Sequence, residues 1–255
     1  VEFTEEQHAI WRDLYARQAP EVQKYACREY LEGSANLKLP PDRIPSVPWL
    51  NERITPRTGW KTLRTKVRYS DAVQWYAHFA AHEFLITDYV RSRDEMDFTP
   101  EPDMFHDVYG HLPYFTLPRY VEIQELFAPA FQKAKTDEQR ESIKRLAWFS
   151  TEFGVIRQDG ELKVFGTGLI SSKGEMEHVL GGNTPLKPFK VEEVIHVVER
   201  ALYRQRLQAE LAQERRAHTG QLGPGYVAVP DLPLVLQIRR GPMVRGGQNV
   251  QRDAA

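Results

Sequence analysis

The sequence predicts a mostly α-helical fold of the α+β class, with a few short strands and one β-hairpin. Thr4 and Thr136 are each followed three positions later by a glutamine, which is the capping-box signature of a helix start. Apolar residues recur at helical spacing after both threonines. Asp159-Gly160 lies between two alternating runs, which is typical of a tight hairpin turn. Helices therefore dominate, and the hairpin is the clearest strand pair.

Two helices and an extended arm are predicted before residue 59. The first helix begins after Thr4. A second helix is expected from Pro20 to Gly33, because proline favours the first turn of a helix and glycine its end. Residues 36–58 contain five prolines. We therefore expect an extended surface arm in this range.

Short elements are predicted in the middle of the chain. The stretch "SDAVQWYAHFAAHE" has helical periodicity, with Ser70 as its cap. The following "FLITDYV" is apolar and rich in β-branched residues, so a short strand is expected. A long helix after Thr136 includes "DEQRESIKRLAWFSTEF" and presents Ile143 and Phe153 on one side.

The C-terminal part is predicted to contain one long helix and a tail. The helix is expected from about Val191 to Arg216, and we assign residues 1–216 to a single domain. Residues 217–255 are rich in glycine, proline and arginine, so we expect a partly extended or flexible tail. "PLVLQI" is the one stretch of this tail that we expect to be an exception.

Composition restricts the class of ligand. The chain has 255 residues, 41% of them hydrophobic, which is enough for one substantial core. Its 34 basic and 35 acidic side chains give a net charge of −1, so no overall field attracts nucleic acid or an anionic membrane. A small molecule is the expected partner.

The sequence has no long apolar run and no signal-peptide pattern, so a cytoplasmic location is expected. Cys27 is the single cysteine, so histidine and carboxylate must supply any metal site.

The stretch "EPDMFHDVYGHLPYF" contains two histidines five positions apart, His106 and His111. Positions i and i+5 of an α-helix lie about 140° apart, so the two imidazoles cannot bind one ion on a regular helix. We expect Gly110 to end the helix in a left-handed conformation and to turn His111 back toward His106. Pro113 then prevents the helix from resuming. The stretch indicates half of a metal site or, alternatively, two structural histidines.

Glu152 in "LAWFSTEFG" is the candidate for a third ligand. It lies among aromatic residues, where an unpaired charge is costly. The alternative is a partly exposed glutamate at a helix end. Two imidazoles and one carboxylate on one face of an ion leave three octahedral positions open, the arrangement of non-haem Fe(II) oxygenases. Zinc with the same ligands indicates four-coordinate hydrolytic chemistry instead.

The stretches "FTPEPDMFHDVYGHLPYF", "WFSTEFG" and "FGTGLISSKGE" together resemble the catalytic domain of the aromatic amino acid hydroxylases, and most closely the compact bacterial phenylalanine hydroxylases. The resemblance spans about residues 4–185 and includes "EEQHAIWRDLYARQ", "YACREYLEG", "DRIP" and "RTGW". It implies the helical basket of that family. Such a set in the right order is far more specific than a single motif.

The resemblance implies a function for individual residues. The family's iron ligands fall on His106, His111 and Glu152. Arg91, fifteen residues before His106, falls on the arginine that binds the substrate carboxylate, a task that suits its planar fork. The resemblance also implies five residues around the substrate: Thr99, Pro102, Trp148, Phe153 and Ser171. A tryptophan at 148 is more similar to phenylalanine or tyrosine hydroxylases than to tryptophan hydroxylases.

The implied activity is that of a monooxygenase. It hydroxylates the ring of an aromatic amino acid, in the first place phenylalanine, to tyrosine or a meta-hydroxylated isomer. Fe(II), O₂ and a tetrahydropterin are the implied cofactors and co-substrates. The protein's own contribution is ligation, orientation and a dry pocket. We expect a monomer, because the regulatory domain and coiled coil of animal relatives have no counterpart in this sequence.

Two stretches depart from the family pattern. Arg64, Lys66 and Arg68 add charge to a wall of the pterin site that is apolar in relatives, although Trp75 falls where the pterin-stacking aromatic belongs. Val197 and Glu199 replace a threonine-x-tyrosine motif near the substrate entrance. These departures leave two alternatives open: a modified or different aromatic substrate, or a binding module that has lost pterin turnover.

A second histidine pair competes as a metal site. His78 and His82 are four positions apart on a predicted helix, with Glu83 adjacent, which is a spacing that binds metals. Structural histidines are the alternative there, and the remaining histidines lack clustered partners. A zinc hydrolase on the first site is a further alternative, but a general base of the expected kind is not evident near it.

Overall fold

A computed structural model of the chain describes residues 2–68, 70–96, 99, 101–182 and 184–196, and the backbone of Val235–Ile238. The predicted fold class is confirmed, because helices dominate and the strands are short. The described α-helices are α1 (Glu5–Tyr25), α2 (Arg28–Leu37), α3 (Val47–Thr58), α4 (Ala72–Ala80), α5 (Pro118–Lys133), α6 (Asp137–Ala147), α7 (Thr167–Ile170), α8 (Lys173–Leu180) and α9 (Val191–Val194). The strands are β1 (Lys61–Thr65), β2 (Glu83–Thr87), β3 (Val155–Gln158), β4 (Glu161–Val164), β5 (Leu186–Pro188) and β6 (Val235–Ile238).

Helix α1 starts at the predicted capping box but passes through the predicted boundary at Pro20. The Thr4 side chain accepts from the backbone N–H of Gln7, and the Gln7 side chain accepts from Thr4 in return. The helix buries Ile10, Leu14 and Val22 on both sides of the proline, and this burial outweighs the hydrogen bond that proline removes. The prediction of a second helix from Pro20 was therefore wrong.

The chain turns between α1 and α2 at Ala26 and Cys27, which both have extended backbone. The N–H of Cys27 donates to the carbonyl of Val164 at 2.8 Å, which attaches this corner to the end of β4. Cys27 itself is completely buried. Tertiary pairing, rather than a proline or glycine signal, sets this boundary.

The predicted extended arm is partly a helix. Ser46 caps α3, Pro48 lies in its first turn where no N–H is needed, and the helix ends at Gly59 with φ 79°. Leu50 and Ile54 are buried and anchor it to the core. The prediction of an arm was therefore wrong for residues 47–58.

Two parallel strands frame helix α4. β1, which the sequence did not predict, pairs in parallel with the predicted strand β2, with Leu63 opposite Leu85. Asp71 caps α4 instead of the predicted Ser70, because its carboxylate accepts from the N–H groups of Val73 and Gln74.

A four-stranded sheet in the order β4-β3-β6-β5 contains the predicted hairpin. Asp159 and Gly160 have φ of 53° and 84°, which matches the tight turn expected between β3 and β4. The stretch "PLVLQI", expected to be the exception in the tail, contains β6, which pairs in parallel with β3 and β5. The predicted helix over 191–216 is not continuous, because α9 ends at Val194 and residues 195–196 form a turn; its positions after 196 lie outside the described part of the chain.

A large aromatic-rich core lies behind the site, and a second, smaller cluster contains Phe149 and Val194. Its largest wholly buried side chains are Trp11, Trp60, Tyr30, Tyr114, Phe84, Phe105 and Phe115. Phe84 from β2 contacts the ring of His111 at a centroid distance of 5.0 Å, so the core directly supports this histidine. Among the described residues, no helix has the length and apolar character needed to cross a membrane.

Candidate metal centre

Two short π-helices carry the three predicted metal ligands. The first spans His106–His111 and the second spans Trp148–Glu152, directly after α6. The long helix predicted after Thr136 therefore changes its winding at Trp148. In the second π-helix the N–H of Phe153 donates to the carbonyl of Trp148 at 3.2 Å. π-Helices are rare and are frequent at functional sites.

The π-helical winding explains why histidines five positions apart converge. A π-helix joins residue i to residue i+5, so His111 lies above His106 instead of on the opposite side. The two Nε2 atoms are 3.1 Å apart. The predicted convergence is correct, but the predicted cause was wrong: Gly110 lies within the π-helix and has no left-handed backbone. After Pro113 a single 3-10 turn, Tyr114–Thr116, follows, and no α-helix resumes there.

Gly110 has a packing function instead. A Cβ atom added to it would lie 3.0 Å from the carbonyl oxygen of Thr167 and 3.4 Å from Cβ of Ser171. Glycine therefore lets α7 approach the first π-helix closely. Gly166, just before α7, is tighter still, since an added Cβ would lie 2.2 Å from the carbonyl oxygen of Glu152. Helix α7 is thus packed between the two π-helices.

The three ligand side chains form one compact group of donor atoms. Nε2 of His111 is 3.0 Å from Oε1 of Glu152, and Nε2 of His106 is 3.7 Å from Oε2 of Glu152. Two donors bound at right angles to one first-row ion, each about 2.1 Å away, are about 3 Å apart. The spacing and the chemistry of this donor set therefore fit one ion with its ligands on a single face.

Two of the three protonation states favour metal binding, whereas at His111 the carboxylate of Glu152 outweighs burial and raises the pKa, so this imidazole must release a proton when it binds metal. Burial lowers the pKa of His106 to about 4, so its imidazole is neutral at neutral pH. Burial opposes ionisation of Glu152, but the adjacent His111 outweighs it and holds the pKa of Glu152 well below its usual range. The site therefore presents a neutral imidazole and an ionised carboxylate. His106 and Glu152 keep 13% and 19% of their side-chain surface exposed, so the site is accessible from one side.

Two hydroxyl groups orient the metal ligands: that of Thr167, the first residue of α7, and that of Ser171, which follows its last residue. The Ser171 hydroxyl lies 2.9 Å from Nδ1 of His106, which leaves Nε2 to face the metal position. The predicted substrate residue Ser171 thus contacts a ligand directly. The Thr167 hydroxyl lies 2.8 Å from Oε2 of Glu152. Thr167 was not among the predicted site residues, although it stands between the two glycines of "FGTG".

Arg91, the predicted carboxylate-binding residue, is buried in a bidentate ion pair with Asp103. Its Nε and Nη2 atoms each donate to the Asp103 carboxylate at 2.8 Å. Asp103 also accepts from the N–H of His106 at 3.0 Å, so one carboxylate connects the arginine to the first π-helix. The contacts to Asp103 do not involve Nη1 of Arg91. The sequence analysis missed Asp103, although it lies three residues before His106 as an N-capping aspartate would.

The remaining predicted substrate residues lie near the ends of the two π-helices. Trp148 begins the second π-helix, and its ring contacts that of Phe153 at a centroid distance of 4.9 Å. Phe153 is buried, whereas Trp148 is only partly buried. Pro102 lies beside Asp103 and is partly buried. The Thr99 hydroxyl donates to the carbonyl of Glu101 at 2.8 Å, so it orders the segment that precedes the first π-helix.

Trp75, the predicted pterin-binding residue, is connected to the metal ligand His111 through one intervening ring, that of Phe84. Its ring contacts Phe84 at 5.4 Å, and Phe84 contacts His111 at 5.0 Å. Trp75 is partly buried and retains some exposed surface.

The charged residues near the predicted pterin wall have local partners. Arg64 is paired with Asp88 and lies over the ring of Phe3. Arg68 pairs with Glu101 at 3.1 Å and lies over the ring of Tyr89, 3.8 Å from its centroid. Most of the positive charge seen in this stretch is therefore compensated locally. Val197 and Glu199, the second departure, lie outside the described residues.

Asp107 is a further buried carboxyl group that the sequence analysis missed. Burial raises its pKa to about 7, and its Oδ2 accepts from the N–H of Thr87 at 2.8 Å. The contact attaches the first π-helix to the end of β2. No motif in the sequence distinguishes this aspartate from a surface residue beside His106.

The competing histidine pair does not form a second cluster. Nδ1 of His78 lies 2.7 Å from Glu83, which also pairs with Lys61, whereas His82 stacks on Trp60 with φ 56°. In the part of the chain that the structure describes, His106, His111 and Glu152 are the one group of three potential ligand residues, with all donor atoms within 4.8 Å.

A mostly helical fold with two imidazoles and one carboxylate on a single face defines a mononuclear non-haem metal protein of the facial-triad class. Comparison with known proteins identifies the family. The model of the biopterin-dependent aromatic amino acid hydroxylases matches residues 1–208, and the chain belongs to this family.

Several relatives support this assignment. Phenylalanine-4-hydroxylase of Vibrio cholerae is 33% identical over 196 residues, which cover 76% of this chain and 67% of that protein. The apo structure of the cold-active phenylalanine hydroxylase from Colwellia psychrerythraea superposes with a TM-score of 0.76 at 27% identity, covering 94% of this chain and 80% of that one. Phenylalanine hydroxylase of Chromobacterium violaceum with bound iron(III) and 7,8-dihydrobiopterin gives a TM-score of 0.74 at 28% identity, covering 88% of each chain. The chain spans about two thirds of the length of the curated relatives it matches.

Proposed function

We propose that this chain is an Fe(II)- and tetrahydropterin-dependent monooxygenase that hydroxylates the ring of an aromatic amino acid, with phenylalanine as its substrate. The family model and the relatives named above support the reaction class. The geometry supports the site residues, which are His106, His111 and Glu152 as iron ligands.

The connection between Arg91 and the metal ligands is the observation that carries the proposal. Asp103 bonds both the guanidinium of Arg91 and the backbone N–H of His106. An amino-acid carboxylate bound to the remaining Nη1 donors of Arg91 is therefore held at a fixed distance from the iron position. A buried guanidinium so close to the metal ligands supports a substrate that carries a carboxylate.

The aromatic ring of the substrate is assigned to the surface formed by Trp148 and Phe153. Trp148 is only partly buried, so a face remains for a planar ligand. Pro102 and Thr99 complete the wall on the side of Arg91, since both lie on the segment that leads into Asp103. This arrangement supports an α-amino acid with a flat side chain.

The pterin is assigned to the neighbourhood of Trp75. Trp75, Phe84 and His111 form a continuous series of ring contacts from a partly exposed surface to the metal site. The local pairing of Arg64 and Arg68 supports this assignment, because two of the three cations of this wall have acidic partners.

Iron and the reduced pterin, when bound, supply the activation of O₂ for attack on the ring. The chain itself supplies positioning. Arg91 holds the carboxylate of the substrate, Trp148 and Phe153 orient the ring, and Ser171 fixes the ring of His106. Proximity and exclusion of water are its main contributions to the rate.

Incubation of the iron-loaded protein with phenylalanine, a tetrahydropterin and O₂ tests the proposal. We expect hydroxylated phenylalanine and oxidised pterin in equal amounts, and mass spectrometry with authentic para and meta standards identifies the ring position. Binding of phenylalanine without product and without pterin oxidation would indicate a binding module instead. Hydroxylation of a different aromatic amino acid, but not of phenylalanine, would change the proposed substrate and leave the proposed reaction class unchanged.

We further propose that residues 1–216 form one catalytic domain that acts as a monomer in the cytoplasm. The family match over residues 1–208 supports the extent of the domain. The single, buried Cys27 fits a reducing compartment. Size-exclusion chromatography with light scattering tests the monomer, and a mass twice the 29.6 kDa of the chain would overturn it.

A further inference from the structure

Thr167, the first residue of α7, contacts two metal ligands although it is not a ligand itself. It is completely buried. Its hydroxyl oxygen lies 2.8 Å from Oε2 of Glu152, 3.2 Å from Nε2 of His111 and 3.1 Å from the carbonyl oxygen of Thr151. No other hydroxyl group in the described part of the chain is within hydrogen-bond distance of both Glu152 and a ligating imidazole.

The hydroxyl has one proton, and the geometry decides where it is donated. Oε2 of Glu152, at 2.8 Å, is the nearest of the three atoms and belongs to a carboxylate, the strongest acceptor among them. Charge-assisted hydrogen bonds are shorter and stronger than neutral ones. Thr167 therefore donates to Oε2 of Glu152. Oε1 instead lies 3.0 Å from Nε2 of His111, a contact that an ion bound to both atoms would replace, so Oε1 is the oxygen that faces the metal position.

Two glycines let the backbone on both sides of Thr167 lie close to Glu152. A Cβ added to Gly166 would lie 2.2 Å from the carbonyl oxygen of Glu152, and one added to Gly168 would lie 3.1 Å from the same atom. The backbone on both sides of Thr167 therefore touches the backbone of Glu152. Because threonine is β-branched, its side chain has few conformations in which to swing away.

We propose that Thr167 is a positioning residue that holds the carboxylate of Glu152 through Oε2, so that a single oxygen, Oε1, binds the iron. The number of oxygens that a carboxylate contributes decides how many positions of the ion stay open for other ligands. One oxygen together with two imidazoles leaves three positions, whereas two oxygens leave two. This inference rests on the proposed iron site and adds a determinant of its coordination number.

Two replacements of Thr167, with valine and with serine, distinguish the effect of its hydroxyl group from the effect of its branched shape. Valine keeps the branched shape without the donor, whereas serine keeps the donor. We expect Thr167→Val to weaken Fe(II) binding about 10- to 100-fold in competition with a chelator, the usual effect of losing a hydrogen bond to a ligand. Its Co(II)-loaded form should also show a changed visible absorption spectrum, which reports coordination number. Thr167→Ser should retain the affinity and the spectrum of the wild type.

Thr62→Val is the matched control, since it removes another buried threonine hydroxyl, one that bonds Asn51 on the far side of β1. The Thr62→Val variant should be less stable than the wild type, and its Co(II) spectrum should be unchanged.

Equal affinity and equal spectra in wild type and Thr167→Val would overturn the inference, as would a serine variant that behaves like the valine variant. If Thr167→Val fails to fold, a Thr167→Ser variant with a changed Co(II) spectrum would overturn it and an unchanged one would support it. A wild-type protein that binds neither Fe(II) nor Co(II) would overturn the proposed function, and this inference with it.

Discussion

Asp103 holds Arg91 through two parallel hydrogen bonds of 2.8 Å while it caps the helical turn that carries His106. The side chain of Asp103 is fully buried and that of Arg91 nearly so. The residue proposed to anchor the substrate and a residue proposed to bind iron therefore belong to one rigid unit. Its position relative to the ion does not depend on a flexible loop.

Asp103→Asn should destabilise the protein and weaken substrate binding together. The amide cannot accept both guanidinium hydrogen bonds, so the Arg91 charge stays buried without compensation. Breaking a buried ion pair costs roughly 3 to 5 kcal/mol. Urea unfolding measures the free energy of unfolding, and calorimetric titration measures the affinity for phenylalanine. A variant with wild-type stability would show that water compensates Arg91 in place of the carboxylate.

Arg91→Lys should impair substrate binding with less damage to the fold than Arg91→Ala. Lysine preserves a positive charge beside Asp103 but cannot form paired hydrogen bonds with two carboxylates at once. Loss of one charge-assisted hydrogen bond, about 1.5 to 3 kcal/mol, corresponds to a rise in KM for the amino acid of roughly ten- to hundredfold. KM for the pterin should stay unchanged, and equal rises in both KM values would place Arg91 outside the substrate site.

Local signals predicted the parts of the fold that local chemistry determines. The capping boxes at Thr4 and Thr136 and the turn at Asp159 depend on residues a few positions apart, and all three are present. Pro20 and the proline-rich segment up to Thr58 gave wrong boundaries. There, burial of Val22 and Ile54 against distant elements outweighs the local preference of proline.

The sequence analysis predicted the metal ligands of the candidate site. It missed the residues that hold these ligands in place. His106, His111 and Glu152 converge as expected, but through π-helical winding, whereas the sequence analysis considered only a regular α-helix ended by Gly110. Asp103 and Thr167 are common residue types whose importance arises only from what the fold places beside them. The glycines of "FGTG" gave a signal in retrospect, since two glycines around one residue indicate a close backbone approach.

Gly166→Ala should disrupt the metal site, whereas Gly174→Ala should not. The added methyl at residue 166 would lie 2.2 Å from the carbonyl oxygen of Glu152, so the backbone of the second π-helix must move. Gly174 lies within α8 and has no atom within 4 Å of the added position, so alanine there should stabilise the helix by about 0.5 to 1 kcal/mol. Thermal unfolding and bound iron per chain measure both effects. Full iron content in Gly166→Ala would show that α7 adapts without moving Glu152.

Trp75→Leu should raise KM for the tetrahydropterin, while Trp75→Phe should have little effect. Leucine keeps apolar packing against Phe79 and Phe84 but removes the flat face on which the pterin is proposed to stack. A stacking contribution of about 0.5 to 1.5 kcal/mol corresponds to a roughly two- to tenfold rise. KM for phenylalanine is the internal control. If both variants retain the wild-type KM for the pterin, the cofactor binds on a different wall.

Glu152→Gln should abolish iron retention and leave the fold intact. The amide matches the shape of the carboxylate and still accepts the hydrogen bond from Thr167, but it lacks the negative charge that completes the donor set. Because the carboxylate is the ionised partner of His111, its loss also removes the interaction that raises the pKa of this imidazole, which then becomes easier to deprotonate. Two neutral histidines remain, and they bind Fe(II) too weakly for the iron to be retained during dialysis.

Metal analysis after dialysis measures iron retention, and circular dichroism measures the fold. Glu141→Gln, on the neighbouring α6, is the control, and it should keep both the iron and the fold. Iron bound at one equivalent in Glu152→Gln, with turnover of phenylalanine, would remove Glu152 from the ligand set and require another carboxylate at the third position.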